Sequence, residues 1–343
     1  MNADYIIGVN MSLPKVLALV SLLLFAIIGV VALFKEPASS IPAVPAQVPL
    51  EVELDQQIQT VMPAVSPVPS PSSSVTEKGV LPAPETIIEL PEADRIEELF
   101  NKEGAKLPIV ETITYKSRVP WQKGRPAWLS DYAGHYETSR HFIARSLNGK
   151  PDYFKQELAE GAKFNVLRTD KHFEFALIVD TSRCKMWFYY VDLDDNQKVL
   201  LKTYQVGLGR LDSSKTSGLL TPLGKYTLGD RVAIFKPKTM GTHQGNKVEM
   251  ITIFGTRWIP FGTEVGTCTA PAKGFGLHGT PWAANSKGEL EDQSDSIGKY
   301  ESDGCVRLAT ADMEELFSII ITKPTTIEIV HDFSESSLAE NRK

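Results

Sequence analysis

Between residues 36 and 91 the composition shifts to Pro, Ser, Ala and Val, as in Pro63-Ala64-Val65-Ser66-Pro67-Val68-Pro69-Ser70-Pro71. Proline fixes φ and withholds a backbone donor, and the stretch has few large side chains to bury. It therefore favours extended, solvated conformations, and any folded body is expected after it. We read it as a semi-rigid tether, with a Pro-rich peptide ligand as the alternative. Ahead of it, residues 16–34 (VLALVSLLLFAIIGVVALF) carry no charge. At about 1.5 Å per residue they reach roughly 28 Å, close to the hydrocarbon thickness of a bilayer. Residues 1–35 are thus predicted to form a retained transmembrane anchor. A cleaved signal peptide, with a weak cleavage-like Val44-Pro45-Ala46, is the rival, and a buried core helix is the third reading. Lys15 and Lys35 flank both ends, so charge does not set the orientation.

The remainder divides in two by pattern. Over residues 92–170, a short helix is expected at 93–100, a strand at 109–115 and another short helix at 153–158, giving a small α+β accessory domain. Its Trp121, Trp128, Tyr132 and Tyr136 suit a small core, with sugar or peptide binding as the alternative. Over residues 171–333 the pattern is strongly β. Segments 173–180, 185–192, 199–208, 224–228, 248–254 and 274–278 are rich in β-branched and aromatic residues and are bounded by turns such as Asp194-Asp195-Asn196. Thr310 is placed to cap a helix carrying Met313, Leu316, Phe317 and Ile320 on one face. Pro324 stops that helix, and 326–330 reads as a closing strand. The expected fold is mainly β with one packed helix, followed by a tail at 334–343.

Charge narrows the function. The net charge is -6 and no long Lys/Arg cluster occurs, which argues against a nucleic-acid partner. Cys184, Cys268 and Cys305 are too few for a disulfide scaffold. Cys184 and Cys268 read as small buried apolar residues. Cys305 differs, lying in Glu301-Ser302-Asp303-Gly304-Cys305-Val306-Arg307-Leu308. Glycine leaves room on its backbone side, and Arg307 supplies a positive charge expected to favour thiolate. His278, followed by Gly279, closes an apolar segment and offers a base on an imidazole expected to be exposed. The amides of Gly304 and Cys305 are candidate oxyanion donors, and Arg307 could hold a substrate carboxylate. Two bland readings stand beside this one. A zinc site from Cys268, His278, Cys305 and His331 lacks the usual short ligand spacing. His135, His141, His172 and His243 have no partner pattern and read as surface or structure; Tyr204, Arg257 and Trp258 are as readily core as cleft.

With those residues in view, the chain resembles the YkuD-type L,D-transpeptidases, which remodel bacterial peptidoglycan. Their signature is His-Gly and, after a variable segment, Ser/Thr-His-Gly-Cys with Arg or Asn two residues on. His278-Gly279 and Ser302-Asp303-Gly304-Cys305-Val306-Arg307 follow that order. Ile178-Val179-Asp180, Tyr204-Gln205-Val206-Gly207-Leu208-Gly209 and Thr221-Pro222-Leu223-Gly224-Lys225-Tyr226 extend the likeness across about 172–332. Two departures stand out. Asp303 occupies the place of the commoner histidine, and the segment 280–301 is longer than usual. With Glu289, Glu291, Asp292 and Asp295, that segment reads as an acidic lid or a substrate-selecting loop.

The resemblance implies a YkuD-like β-sandwich or barrel with Cys305 as nucleophile and His278 as general acid and base. Gly279 would orient His278 through its carbonyl, with Ser302, Asp303, Gly304 and Arg307 around the oxyanion and substrate. No metal or organic cofactor is implied. The partners would be a peptidoglycan stem peptide and an amine acceptor on a second stem or a protein, with the domain outside the cytoplasmic membrane on a single-pass anchor. Water as acceptor would make the enzyme an L,D-carboxypeptidase or endopeptidase, and an inert cysteine would leave a wall-binding scaffold.

Overall fold

Phe173, Phe175, Leu177 and Val179 are buried on one side of a strand, and Ala176 and Ile178 on the other. Sealed on both faces, that segment can only be interior to a sheet. In the computed structural model, which describes residues 90–153 and 158–339, the chain begins with α1 (Glu97–Phe100), β1 (Val110–Thr114), α2 (Leu129–His135), α3 (Arg140–Asn148) and β2 (Lys163–Leu167). Strands β3 (Phe173–Asp180), β4 (Lys185–Asp192) and β5 (Gln197–Gln205) follow as an antiparallel meander. Then come β6 (Leu208–Gly209), β7 (Gly224–Leu228), β8 (Ala233–Ile234), β9 (Met240–His243), β10 (Asn246–Glu249), α4 (Ile251–Phe254) and β11 (Arg257–Val265). The chain continues through β12 (Gly276–Gly279), β13 (Trp282–Ala284), β14 (Leu290–Asp292), β15 (Tyr300–Ser302), β16 (Val306–Leu308), α5 (Thr310–Ile320) and β17 (Thr325–Val330).

The described chain is mainly β. Its largest sheet runs β16-β12-β11-β7-β17-β3-β4-β5, with β8 beside β11. β11 changes partner along its length, from β12 at Trp258–Pro260 to β7 from Phe261 on, with a register shift between Phe261 and Glu264. That irregularity bends the sheet, as a bulge does. Helix α5 buries Met313, Leu316, Phe317 and Ile320 as its spacing predicts. Its N-cap is Ala309, however, and Thr310 makes no capping bond.

Several sequence expectations shift. Residues 251–254 are helical rather than strand, because Met250, Ile251 and Phe254 point inward at i, i+1 and i+4. Helices α2 and α3 were not foreseen among the aromatics. Asp131 accepts the Trp128 amide at 2.7 Å to start α2, and Gly149 at φ 75° ends α3. Residues 92–170 hold a cluster of their own around Tyr115, Tyr132 and Phe164. Yet Leu99, Ile109, Phe142 and Leu167 belong to the same core as Phe173 and Phe317. Among the described residues no helix is long and apolar enough to cross a membrane. The apolar run 16–34, the Pro-rich stretch and most of the helix expected at 153–158 lie outside the described residues.

Candidate active site

β12 and β16 run side by side in parallel, with Leu277 opposite Val306 and His278 opposite Arg307. Alternation then sorts the side chains. Leu277, Val306 and Leu308 enter the main core at 0% exposure. His278, Arg307 and Cys305, the last just ahead of β16, take the opposite face. On β11, Trp258 stands opposite His278 on that face. Two segments far apart in sequence thus deliver the sulfur and the imidazole to one side of one sheet.

His278 is 4% exposed, so the solvent-facing imidazole expected from the sequence is buried. Its Nδ1 lies 2.6 Å from the Gly279 carbonyl oxygen. A carbonyl can only accept, so Nδ1 carries the proton and Nε2 keeps its lone pair. Phe254 meets the ring edge-on at 5.4 Å, and Trp258 tilts over it at 6.0 Å. Burial drives the pKa of His278 down to about 3; Arg307 acts in the same direction and the Gly279 carbonyl opposes it. The imidazole is neutral.

Cys305 is half-buried and packs on the cluster of Phe235, Met250, Phe254 and Trp258. Its Sγ is 3.8 Å from the Gly274 oxygen. Burial pushes the thiol up to about 12, outweighing the Gly276 amide and Arg307, which both favour thiolate. Arg307 thus acts on the thiol in the expected direction, and burial, which the sequence does not show, outweighs it. Arg307 is itself part-buried, and the same desolvation lowers its pKa while leaving the guanidinium charged.

The loop before the cysteine is held by its own atoms. Gly304 has φ +121°, and a Cβ there would sit 2.5 Å from Phe275 Cε1 and 2.8 Å from the Leu220 oxygen. Only glycine fits. Ser302, 1% exposed, donates from Oγ to the Cys305 oxygen at 2.7 Å and accepts the Gly304 amide at 3.1 Å. The Gly304 amide is thus committed inside the loop and is not a free oxyanion donor, and the Ser302 hydroxyl is engaged within the same loop. The Cys305 amide has no hydrogen-bond partner among the described residues. Asp303 is exposed and paired with Arg210 at 2.6 Å. Arg307 exchanges two backbone bonds with Gly207, each 2.8 Å, while its buried Nε has no partner among the described residues.

The long segment 280–301 forms the β13–β14 hairpin, whose Trp282 and Leu290 join the apolar cluster around Cys305. Asp292 accepts from Thr280 and Glu291 from Asn285, so two of its four acids hold the segment itself. Other singled-out residues lie elsewhere. Tyr204 donates to Glu315 at 3.0 Å, Cys268 to the Lys225 carbonyl at 3.3 Å, and His331 faces Thr181 at 3.5 Å. Arg257 points away from Trp258, toward Asp152 and Glu314. Among the described residues no His/Cys/Asp/Glu group could hold a metal ion. Sequence reasoning did not single out Arg210, which pairs with Asp303, and it read His243 as surface or structure. The latter sits on the β9–β10 hairpin, 5.5 Å from Phe254. The turn was legible in Gln244-Gly245, both at positive φ, but no spacing marked the histidine itself.

Residues 174–329 match the YkuD family, the L,D-transpeptidase catalytic domain. Among curated proteins, none matches. Bd1075 of Bdellovibrio bacteriovorus is a similar solved structure, at 17% identity and TM-score 0.31, covering 46% of this chain and 48% of that one. The helical cell shape determining protein Pgp2 of Campylobacter jejuni aligns at 16% identity and TM-score 0.30, covering 48% of this chain and 49% of that one. This chain spans about half the length of each. With the strands, the His278-Gly279 pair and the Gly304-Cys305 pair now placed, residues 174–329 are a YkuD-type L,D-transpeptidase catalytic domain.

Proposed function

We propose that this chain is a cysteine acyltransferase that acts on peptidoglycan stem peptides and passes them to an amine acceptor in cell-wall cross-linking or remodelling. One observation carries the reading: Cys305 and His278 share a sheet face, and His278 is fixed by Gly279 in the tautomer whose Nε2 accepts a proton. In the first step Cys305 Sγ bonds to the carbonyl carbon of the third stem residue, and its proton passes to His278 Nε2. The C–N bond then breaks, and His278 returns the proton to the leaving amine of the terminal D-residue. In the second step an acceptor amine attacks the thioester, gives its proton to His278 and frees the thiol. The Cys305 amide is the donor we assign to the oxyanion. Neither partner of the resting pair is charged. An apolar site admits thiolate and imidazolium together more readily than either alone, so the substrate completes the proton transfer.

We further propose that residues 16–34 anchor the protein in the cytoplasmic membrane, with the catalytic domain on the extracytoplasmic side. The test of the reaction is mass spectrometry of products from a disaccharide-tetrapeptide, with and without added amine. A thioester on the Cys305 peptide and a cross-linked or exchanged product are expected, both abolished in a folded Cys305→Ala variant. Full activity in that variant overturns the nucleophile. A trimmed tripeptide alone reassigns the acceptor to water.

A further inference from the structure

Residues 116–128, which join β1 to α2, carry Lys116, Arg118, Lys123 and Arg125 together with Trp121 and Trp128, and no acidic side chain. Trp121 packs on the Tyr115–Tyr132 cluster, not on the one around Cys305. The backbone of the segment is well held. Ser117 donates its amide to Glu160 at 2.8 Å, and the Tyr115 and Tyr132 hydroxyls donate to the Ala127 and Lys116 carbonyls at 2.7 and 2.9 Å. The side chains of Lys116, Arg118 and Lys123 take no part in this. They are exposed and have no ion-pair partner among the described residues.

Trp128 is 54% exposed, yet its surroundings are fixed. The Arg125 guanidinium lies over the ring at 4.9 Å and forks onto Asp131 through two bonds of 2.7 Å, and the same carboxylate accepts the Trp128 amide at 2.7 Å. That much exposure, with a cation on one face, leaves the rest of the indole to water. Trp121 stacks flat on the exposed His135 at 4.3 Å and meets the buried Tyr132 edge-on at 4.9 Å. A flat, wet indole suits the apolar C–H face of a sugar ring, and unpaired cations suit carboxylates. A bilayer fits less well. The tip of the segment, Gln122-Lys123-Gly124-Arg125, has no apolar side chain to enter hydrocarbon. Insertion of Trp128 would also strip water from the Arg125–Asp131 pair.

We propose that residues 116–128 are a docking surface for the peptidoglycan polymer, with Trp128 stacking on a sugar of the strand and Lys116, Arg118 and Lys123 drawing the carboxylates of its stems. The choice of polymer rests on the acyltransferase reading above, and the contact lies outside residues 174–329. The leading segment is packed on that domain, where His141 meets Phe317 at 5.8 Å and Asp152 pairs with Arg257. A strand held here therefore stays with the body that carries Cys305, at raised local concentration.

The experiment sediments full-length Cys305→Ala protein, in detergent, with purified peptidoglycan sacculi, so that binding is read without turnover. Trp128→Ala is expected to weaken binding about 5- to 10-fold, the equivalent of one stacking contact, and Trp128→Tyr less than about 3-fold. Lys116→Gln, Arg118→Gln and Lys123→Gln together should weaken it at least about 5-fold at low salt and flatten its salt dependence. On glycan strands stripped of stems, Trp128→Ala should keep its effect and the triple variant should lose its own. If the alanine variant does not fold, Trp128→Leu keeps apolar bulk without a flat face and should show the same loss. Unchanged sacculus binding in Trp128→Ala or Trp128→Leu, or in the triple variant, overturns the docking surface. So does brominated-lipid quenching of tryptophan fluorescence in protein reconstituted into anionic vesicles, if Trp128→Phe removes it, because the segment then lies in a bilayer. Acylation of wild-type Cys305 by a soluble tetrapeptide stem is followed separately by mass. Its failure overturns the acyltransferase reading, while sacculus binding judges the docking surface on its own.

Discussion

At the scale of single residues, the decisive quantity around Cys305 is desolvation rather than net charge. Arg307 was legible in the sequence as a cation beside a cysteine, but burial was not, and burial dominates both the thiol and His278. The sign follows directly. Raising an acid's pKa removes its anion at neutral pH, so thiolate at pH 7 falls to the order of one part in 10⁵ for a thiol near 12. Alkylation of Cys305 by iodoacetamide, read on its own peptide, should therefore stay slow through pH 9 and still be rising at pH 11. A midpoint near pH 7 would refute the desolvation argument. Gly304 supports a second expectation. Gly304→Ala must place a side chain at φ +121° against Phe275 and Leu220, which should cost on the order of 2–4 kcal/mol in urea unfolding. Adding Phe275→Leu should recover the steric part and leave the backbone part. The Gly-Cys pair could be read from sequence because glycine's need is local, whereas the burial of His278 could not, because Phe254 and Trp258, which cover it, come from other elements.

Among elements, the central strands were legible because burial on both faces writes itself as near-continuous apolar sequence. β3 and β4 begin and end where their residue types change. The short elements near the site were less legible. β9, β10 and β13 are exposed or half-buried, so their patterns carry little hydrophobic signal. β11 was missed through a different cause: it bends, changes partner and carries a buried arginine. The Arg257 side chain is 3% exposed, pairs with Asp152 and with Glu314 at 3.6 Å, donates to the Thr256 carbonyl at 2.8 Å and lies 5.5 Å from the Phe317 ring centre. It ties β11 to α5 and to the chain after α3. Arg257→Met would leave two part-buried carboxylates without their cation, a loss on the order of 3–5 kcal/mol. Converting Asp152→Asn and Glu314→Gln in the same protein should recover at least half of it. If the triple variant is no more stable than Arg257→Met alone, the network is not what holds these elements together.

For the molecule as a whole, the open question is whether residues 92–170 fold apart from the β domain, as their separate pattern in the sequence suggests. Pattern reports which faces are apolar but not what covers them. Leu99, Ile109, Phe142 and Leu167 are each 0% exposed, and they are buried in the core that also holds Phe173, Phe175 and Phe317. Asn165 adds polar ties inside the leading segment, donating to the Leu99 and Asn101 carbonyls at 2.9 Å each. Each large apolar group removed from such a core costs about 2–5 kcal/mol. Four together, about 8–20 kcal/mol, match or exceed the roughly 5–15 kcal/mol by which a whole domain is stable. A fragment of residues 171–343 should therefore lack a cooperative thermal transition and bind a hydrophobic dye, while one of residues 90–343 should unfold in a single step. Calorimetry of the two fragments decides the matter. A cooperative transition in the shorter one, within a few degrees of the longer, would mean that the core closes without its leading segment and that the two are separate domains.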